Sequence, residues 1–204
     1  MIVVVEGTTA AGKTTWVRKH FADSAVWEYT PDGGEPSEDA GLDAIGAYWA
    51  EANARRWQQA VATEAADGLA VCDSDPCKLH YAWTLWRIGA VERARWIAEA
   101  KHAREQFERH RLGLGDVVLV ELPSLASLRQ RRDGDGSRRR RNFDLHVQLA
   151  EPLREWYAAL DELEPGHVVW GLPASGLDPE DLPRRSQRTG GDLLDALIEL
   201  LPMR

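Results

Sequence analysis

Positive charge is scarce in this sequence of 204 residues: 25 lysines and arginines stand against 33 aspartates and glutamates, for a formal net charge of -8. That balance disfavours the backbone of a nucleic-acid polymer and an anionic membrane as partners, so any basic patch has to be local. No apolar run reaches membrane-spanning length, and no charged and apolar leader precedes the first apolar run, so a cytoplasmic location is the expectation. Cysteine is nearly absent, with only Cys72 and Cys77. Their spacing is not C-x-x-C and no Cys/His set surrounds them, which argues against zinc or a disulfide and for one buried thiol and one loop thiol. Histidines 80, 102, 110, 146 and 167 share no metal-ligand spacing and read as surface or helix residues. Neither an internal repeat nor a linker divides the chain, and residues 1–204 read as one domain.

What the chain does have is concentrated at its start. Residues 2–15 read Ile-Val-Val-Val-Glu-Gly-Thr-Thr-Ala-Ala-Gly-Lys-Thr-Thr, an apolar β-branched run that stops in a loop fitting G-x-x-x-x-G-K-[ST]. Gly7 and Gly12 allow the backbone to turn tightly around an anion, and the N–H groups of Thr8, Thr9, Ala10, Ala11, Lys13, Thr14 and Thr15 are available to cradle phosphate oxygens. In such a loop Lys13 reaches the β- and γ-phosphates of ATP and the Thr14 hydroxyl ligates Mg²⁺. A helix from about Lys13 to Phe21 aims the positive end of its dipole at the same phosphates.

The rest of the chain alternates apolar runs with helical periodicity. Strands are expected at residues 25–28, 68–73, 116–121 and 167–171, and helices at 42–66, at 79–111 with a break near Gly89, after Pro123, at 143–163 and at 193–201. Alternation of this kind predicts a three-layer α/β/α fold around a five-stranded parallel sheet, with the site at the carboxyl ends of the strands. Glu28 and Asp73 fall at such ends. Asp73 with Thr14 is the expected Mg²⁺ pair, and Glu28 is the candidate general base, with Asp32, Asp73 and Asp75 as competitors. Trp49, Asn53 and Trp57 recur every four residues, followed by Gln58, on a helix face that mixes aromatics with amides. Some of the nine tryptophans are expected to line a pocket and most to sit in the core. Between Arg129 and Arg141 lie seven arginines (129, 131, 132 and 138–141), interrupted by Asp-Gly-Asp-Gly-Ser. This reads as a lid over about residues 129–142, with Arg129, Arg132 and Arg138 as the candidate phosphate contacts.

Glu6-Gly7 through Ala10-Ala11-Gly12-Lys13-Thr14-Thr15 resembles the E-G-x-x-A-A-G-K-[ST]-T form of deoxynucleoside kinases, and the chain as a whole resembles the P-loop superfamily that holds these and thymidylate kinases. The segment around Glu28, Pro31, Gly33 and Gly34 is similar to the Glu-Pro segment that carries the base in deoxynucleoside kinases, though the spacing differs. Trp57-Gln58 looks like the family's base-recognising aromatic-Gln pair. Asp73-Ser74 stands where relatives have Glu-Arg-Ser or Asp-Arg, without the arginine that holds the 5′ end of the substrate. Pro123 followed by Arg129 and the later arginines is similar to the family's P-x5-R helix and lid.

The resemblance implies a kinase using ATP and Mg²⁺ on a nucleoside or nucleotide, with Glu28, Trp49, Trp57, Gln58, Asp73 and Arg138 at the acceptor and Lys13, Glu28, Asp73, Arg129 and Arg132 at the transfer step. Two other functions stay open. One is a kinase of another hydroxyl compound such as a sugar or antibiotic. The other is a nucleotide-binding regulator, against which the sequence lacks the guanine-reading N-K-x-D. A small-molecule acceptor is the expected partner, and a homodimer stays open.

Overall fold

A computed structural model describes residues 1–30, 33–134 and 142–202, and all but the Glu38 side chain within them. Five strands, β1 Ile2–Gly7, β2 Ala25–Val26, β3 Ala70–Asp73, β4 Val117–Glu121 and β5 Val168–Trp170, form one sheet in the order β2-β3-β1-β4-β5. Every pairing is parallel, and the register sets Val5 beside Asp73 on one side and Leu119 on the other. All six residues of β1 are buried. An unbroken apolar run suits this central position, because both faces of a parallel strand are covered.

Among the described residues eight α-helices follow: α1 Lys13–His20, α2 Leu42–Asp67, α3 Leu79–Arg87, α4 Arg93–Glu108, α5 Leu125–Gly134, α6 Phe143–Gln148, α7 Ala150–Leu163 and α8 Gly191–Leu200. They cover the two faces unequally. Ile2, Val4, Val118 and Val120 face a large core built with Trp57, Trp83, Trp96, Phe107, Trp156 and Leu197 from α2, α3, α4, α7 and α8. Val3, Val5, Val71 and Leu119 face a smaller one, closed by Trp16 and Val17 of α1 and by Leu172, Leu177 and Leu182. The indole N–H of Trp16 donates to the Pro173 carbonyl at 2.7 Å and ties that last segment to α1. The chain therefore leaves β1 toward one face and β3 toward the other, which opens a crevice at the carboxyl ends of these neighbouring strands.

Several boundaries differ from the sequence expectation for local reasons. The helix expected over 143–163 is two, α6 and α7, with Leu149 between them. Pro152 has no N–H for the Gln148 carbonyl and its ring crowds that group, so the chain turns before it. β2 is two residues long, and Trp27 and Glu28 leave the sheet. Residues 129–134 belong to α5, so Arg129, Arg131 and Arg132 are helical and not part of a loop. Cys77 does sit in a loop but is as buried as Cys72. His80 is a helix residue of α3, though buried, whereas His167 is buried and outside any helix, contrary to the expectation. Asp32 and Arg138 to Arg141 lie outside the described residues, as does Pro31. No helix among the described residues is long and apolar enough to cross a membrane.

The amino edge of the sheet is closed by ions. Arg188 donates to Glu64 through Nη1 at 2.5 Å and Nη2 at 2.8 Å, and to Asp116 through Nε at 2.9 Å and Nη2 at 2.5 Å. Asp116, fully buried, also accepts from the backbone N–H of Ile2 and Arg185. The Arg188 bonds hold the Glu64 carboxyl at about 2, below its ordinary value of 4.5. A carboxyl depressed on folding stabilises above its unfolded pKa and loses that contribution as pH falls through the folded one. Glu64→Gln is therefore expected to cost about 1–3 kcal/mol at neutral pH and almost nothing by pH 2. Urea denaturation of both proteins at the two pH values measures this; an equal deficit at both would assign the loss to packing.

Candidate active site

The loop after β1 is shaped by close approach. A Cβ on Gly7 would lie 2.2 Å from the Glu121 carbonyl oxygen of β4, so any other residue there would push the strands apart. Gly12 has φ +98 and Ala10 φ +63, and the N–H of Ala11 closes the turn on the Thr8 carbonyl at 3.1 Å. These left-handed residues point successive N–H groups into the concavity that an anion fills. Lys13 Nζ donates to the Gly7 carbonyl at 2.7 Å and lies 3.4 Å from Glu6 Oε1. The Thr14 hydroxyl donates to Asp73 Oδ2 at 2.7 Å.

Asp73 Oδ1 is buried with no hydrogen-bond partner among the described residues, and burial raises its carboxyl against the opposing effects of Thr14 and Lys13. An orphaned carboxylate oxygen beside a threonine hydroxyl is a donor set that a hard divalent cation completes. Thr14 and Asp73 thus fit Mg²⁺. No group of three or more His, Cys, Asp or Glu side chains with metal-site geometry occurs among the described residues.

Beneath the loop lies a buried polar cluster. Glu6 accepts from the Gly7 N–H at 2.8 Å, the Ser74 hydroxyl at 2.8 Å and the Asp75 N–H at 3.0 Å, and faces His80 Nε2 at 3.3 Å. Burial alone would raise its carboxyl, but Lys13, then Lys78 and His80, hold it well below the usual range. Asp75 is raised by burial and accepts from Tyr157 at 3.0 Å. It is packed behind the site, which separates it from Glu28 as a candidate base. Ser74 is fully buried with φ +76 and points at Glu6, so this position faces inward, and an arginine there would not reach the crevice. Arg56 of α2 instead ties strand ends together, donating to the carbonyls of Trp27, Asp73, Ser74 and Asp75 at 3.0 to 3.2 Å.

Two cavities meet over this floor. The first, about 450 Å³, is lined by residues 7–15 with Glu28, Lys78, Tyr81 and His146. The second, about 300 Å³, shares those last four and adds Tyr29, Trp49, Asn53, Arg56, Arg95 and Glu99. Glu28, half-buried at the junction, is ion-paired with Lys78, which holds its carboxyl down against burial. Tyr81 and His146 share a hydrogen bond at 3.3 Å, and burial with the charges of Lys78 and Lys13 lowers the His146 pKa.

The structure thus brings Glu28, Trp49 and Asn53 to one cavity beside the P-loop, but not Trp57 and Gln58. Trp57 is 1% exposed and packs in the core against Gly113, while the Gln58 amide donates to the carbonyls of His110 and Arg111 at the other edge of the sheet. Eight helical residues advance the chain about 12 Å and rotate it about 80°, which carries Trp57 past the pocket that holds Trp49. Sequence reasoning missed Lys78, Tyr81, His146, Arg95 and Glu99. The signal for the first two was their place in the first turn after the β3 acid, which opens on the crevice. The lid arginines also redistribute: Arg131 Nη1 donates to the Ala11 carbonyl at 2.6 Å, Arg132 pairs with Asp133 and lies 4.5 Å over the Phe143 ring, and Arg129 is exposed with no hydrogen bond or ion pair among the described residues.

Compared with known proteins, the geometry has counterparts among solved structures. A deoxyadenosine kinase of M. mycoides with products dCMP and a flexible dCDP bound superposes with a TM-score of 0.56 at 14% identity, covering 98% of this chain and 97% of that one. The same kinase with bound dCTP gives 0.56 at 12% identity over 98% and 97%. This chain therefore shares its α/β fold with these deoxyadenosine kinase structures. No protein-family model and no curated protein sequence matches the chain.

Arg131 and Arg129 make a direct test of the lid geometry. Arg131→Ala is expected to lower turnover about 10- to 100-fold and Arg129→Ala less than about 3-fold, since only the former guanidinium reaches the loop. Steady-state rates at saturating ATP decide between them.

Proposed function

We propose that this protein is an ATP-dependent kinase that transfers the γ-phosphate to a hydroxyl of a nucleoside. The observation that carries this is the junction: a phosphate cavity built on a P-loop opens into a second cavity at Glu28 and Lys78, and the second cavity holds a carboxylate, an indole and an amide. Trp49 offers a flat ring, braced edge-on by Tyr48 at 5.1 Å, and Asn53 offers both a donor and an acceptor, the means by which a heterocycle is stacked and its edge read.

Charge favours a neutral acceptor over a monophosphate. Each described cation of the second cavity already has a partner: Lys78 has Glu28, Arg95 has Glu99 at 2.9 Å, and Arg56 has four backbone carbonyls. To bind a phosphate the cavity would have to give up one of these partners, whereas binding a neutral hydroxyl displaces none.

In this mechanism Lys13 turns from the Gly7 carbonyl to the β- and γ-phosphates, and the N–H groups of the loop and of α1 hold the remaining oxygens. Thr14 and Asp73 would hold Mg²⁺, which would supply positive charge against the phosphates when bound. Glu28 accepts the acceptor's hydroxyl proton as the new O–P bond forms and the bond to the β,γ-bridging oxygen breaks. Arg131 packs the end of α5 onto the loop and limits water access. The second reading is a kinase of some other hydroxyl compound, and one panel separates the two readings.

ADP release should be measured with ATP and Mg²⁺ across nucleosides, nucleoside monophosphates, sugars and aminoglycosides. Nucleosides are expected to exceed their monophosphates at least about 10-fold in kcat/KM; activity confined to sugars or aminoglycosides, or none with any acceptor, would overturn the nucleoside assignment. Lys13→Ala should lower kcat by about 10²- to 10⁴-fold with an unchanged melting temperature, and Asp73→Asn should raise the Mg²⁺ concentration needed for half-maximal rate by about 10-fold or more.

A further inference from the structure

Among the described lysines and arginines, Lys78 alone lines both cavities. It stands just before α3, and its side chain is 30% exposed, so the ammonium has room to turn on a four-carbon stem. Its neighbours cannot do the same. The Arg56 guanidinium is committed to four carbonyls, and Arg95 is paired with Glu99 one helical turn away on α4. In this state Lys78 sits on the carboxylate that the proposed reaction needs as a base. A carboxylate held by an ammonium is a poor proton acceptor, so the pair has to loosen before transfer.

We propose that Lys78 is handed from Glu28 to the transferring phosphoryl group when a nucleoside triphosphate enters the P-loop, which frees Glu28 to take the acceptor's proton. The inference rests on the kinase reading of the site. It adds a second cation to the phosphoryl group beside Lys13, on the acceptor side, and it makes the base active only when the donor is bound. The step balances: the hydroxyl proton goes to the Glu28 carboxylate, the hydroxyl oxygen bonds to the γ-phosphorus, and the electron pair of the broken P–O bond leaves on the diphosphate.

The surroundings of Glu28 set the direction of the change. Burial opposes its ionisation, as does Glu6 at the end of β1, while Lys78 and more weakly Lys13 favour it. Tyr81 from α3 and His146 from α6 complete the walls at the junction, and Arg56 from α2 donates to the Trp27 carbonyl next to Glu28. Moving Lys78 away leaves burial and Glu6, so Glu28 becomes a stronger base.

The test follows the Glu28 carboxylate by infrared difference titration of wild type against Glu28→Gln, with and without a non-hydrolysable imido analogue of ATP and Mg²⁺. In the wild type the analogue is expected to raise the Glu28 midpoint by about one pH unit or more. In Lys78→Met the midpoint should be raised already, and the analogue should move it by less than half as much. Kinetically, Lys78→Met should lower kcat about 10²-fold with the KM for ATP changed less than about 3-fold, and Lys78→Arg should recover part of the loss. An analogue-induced shift of equal size in wild type and Lys78→Met, or no shift in the wild type, overturns the hand-over while leaving the kinase reading in place. Full activity of Glu28→Gln toward the best acceptor overturns the role of Glu28 itself, and the hand-over with it. The wild-type titration stands without either lysine variant, so a misfolded Lys78→Met does not remove the test.

Discussion

The Glu6 carboxylate is the interaction on which the rest of the site depends. It sits at the carboxyl end of the central strand, almost fully buried, and three donors from two different strand ends converge on it: the N–H of Gly7, the hydroxyl of Ser74 and the N–H of Asp75. Lys13, Lys78 and His80 supply the charge that makes such burial tolerable. One carboxylate thereby sets the P-loop, the segment after β3 and the start of α3 in register with one another. Lys13 and Asp73 belong to separate stretches of chain, and their common geometry is held largely through this buried group.

Around that centre the fold separates two electrostatic tasks. At the amino edge, Arg188 bridges Glu64 and Asp116, which ties the strand ends together. At the carboxyl edge the balance is incomplete: Asp73 Oδ1 and the Thr8 hydroxyl are buried without partners among the described residues, and the P-loop lines a cavity. An unsatisfied buried polar group costs stability unless a ligand completes it, and Asp73 Oδ1 and the Thr8 hydroxyl are the two such groups that sit at the P-loop. The unequal helical layers support this division, because α1 alone covers the P-loop face near the site while the thick layer on the other face gives the acceptor cavity its walls.

Fold class was readable before any coordinates. Apolar runs ending in Gly7, Asp73 and Glu121 with helical stretches between them leave little choice but a parallel sheet with its site at the carboxyl edge, and the P-loop contacts are local enough for spacing alone to place Lys13 and Thr14 together. Trp49 and Asn53 were legible for the same reason, being one helical turn apart. Trp57 was not, since whether the next turn of α2 still faces the pocket depends on where α2 crosses α4 and the sheet.

The sequence by itself determined the P-loop side of the crevice, because a P-loop is a property of eight consecutive residues and the strand and helix that flank them. Only the tertiary structure decided the second cavity. Lys78, Tyr81, Arg95 and His146 come from α4, from α6 and from the start of α3, and they converge because α4 packs on α2, α3 on α4 and α7, and α6 on α7. No spacing along the chain encodes that convergence. Nor does spacing say that Ser74 turns inward to Glu6 while Lys78 turns outward to Glu28, a choice made by the left-handed backbone at residue 74 and by the burial of the carboxylate beneath it.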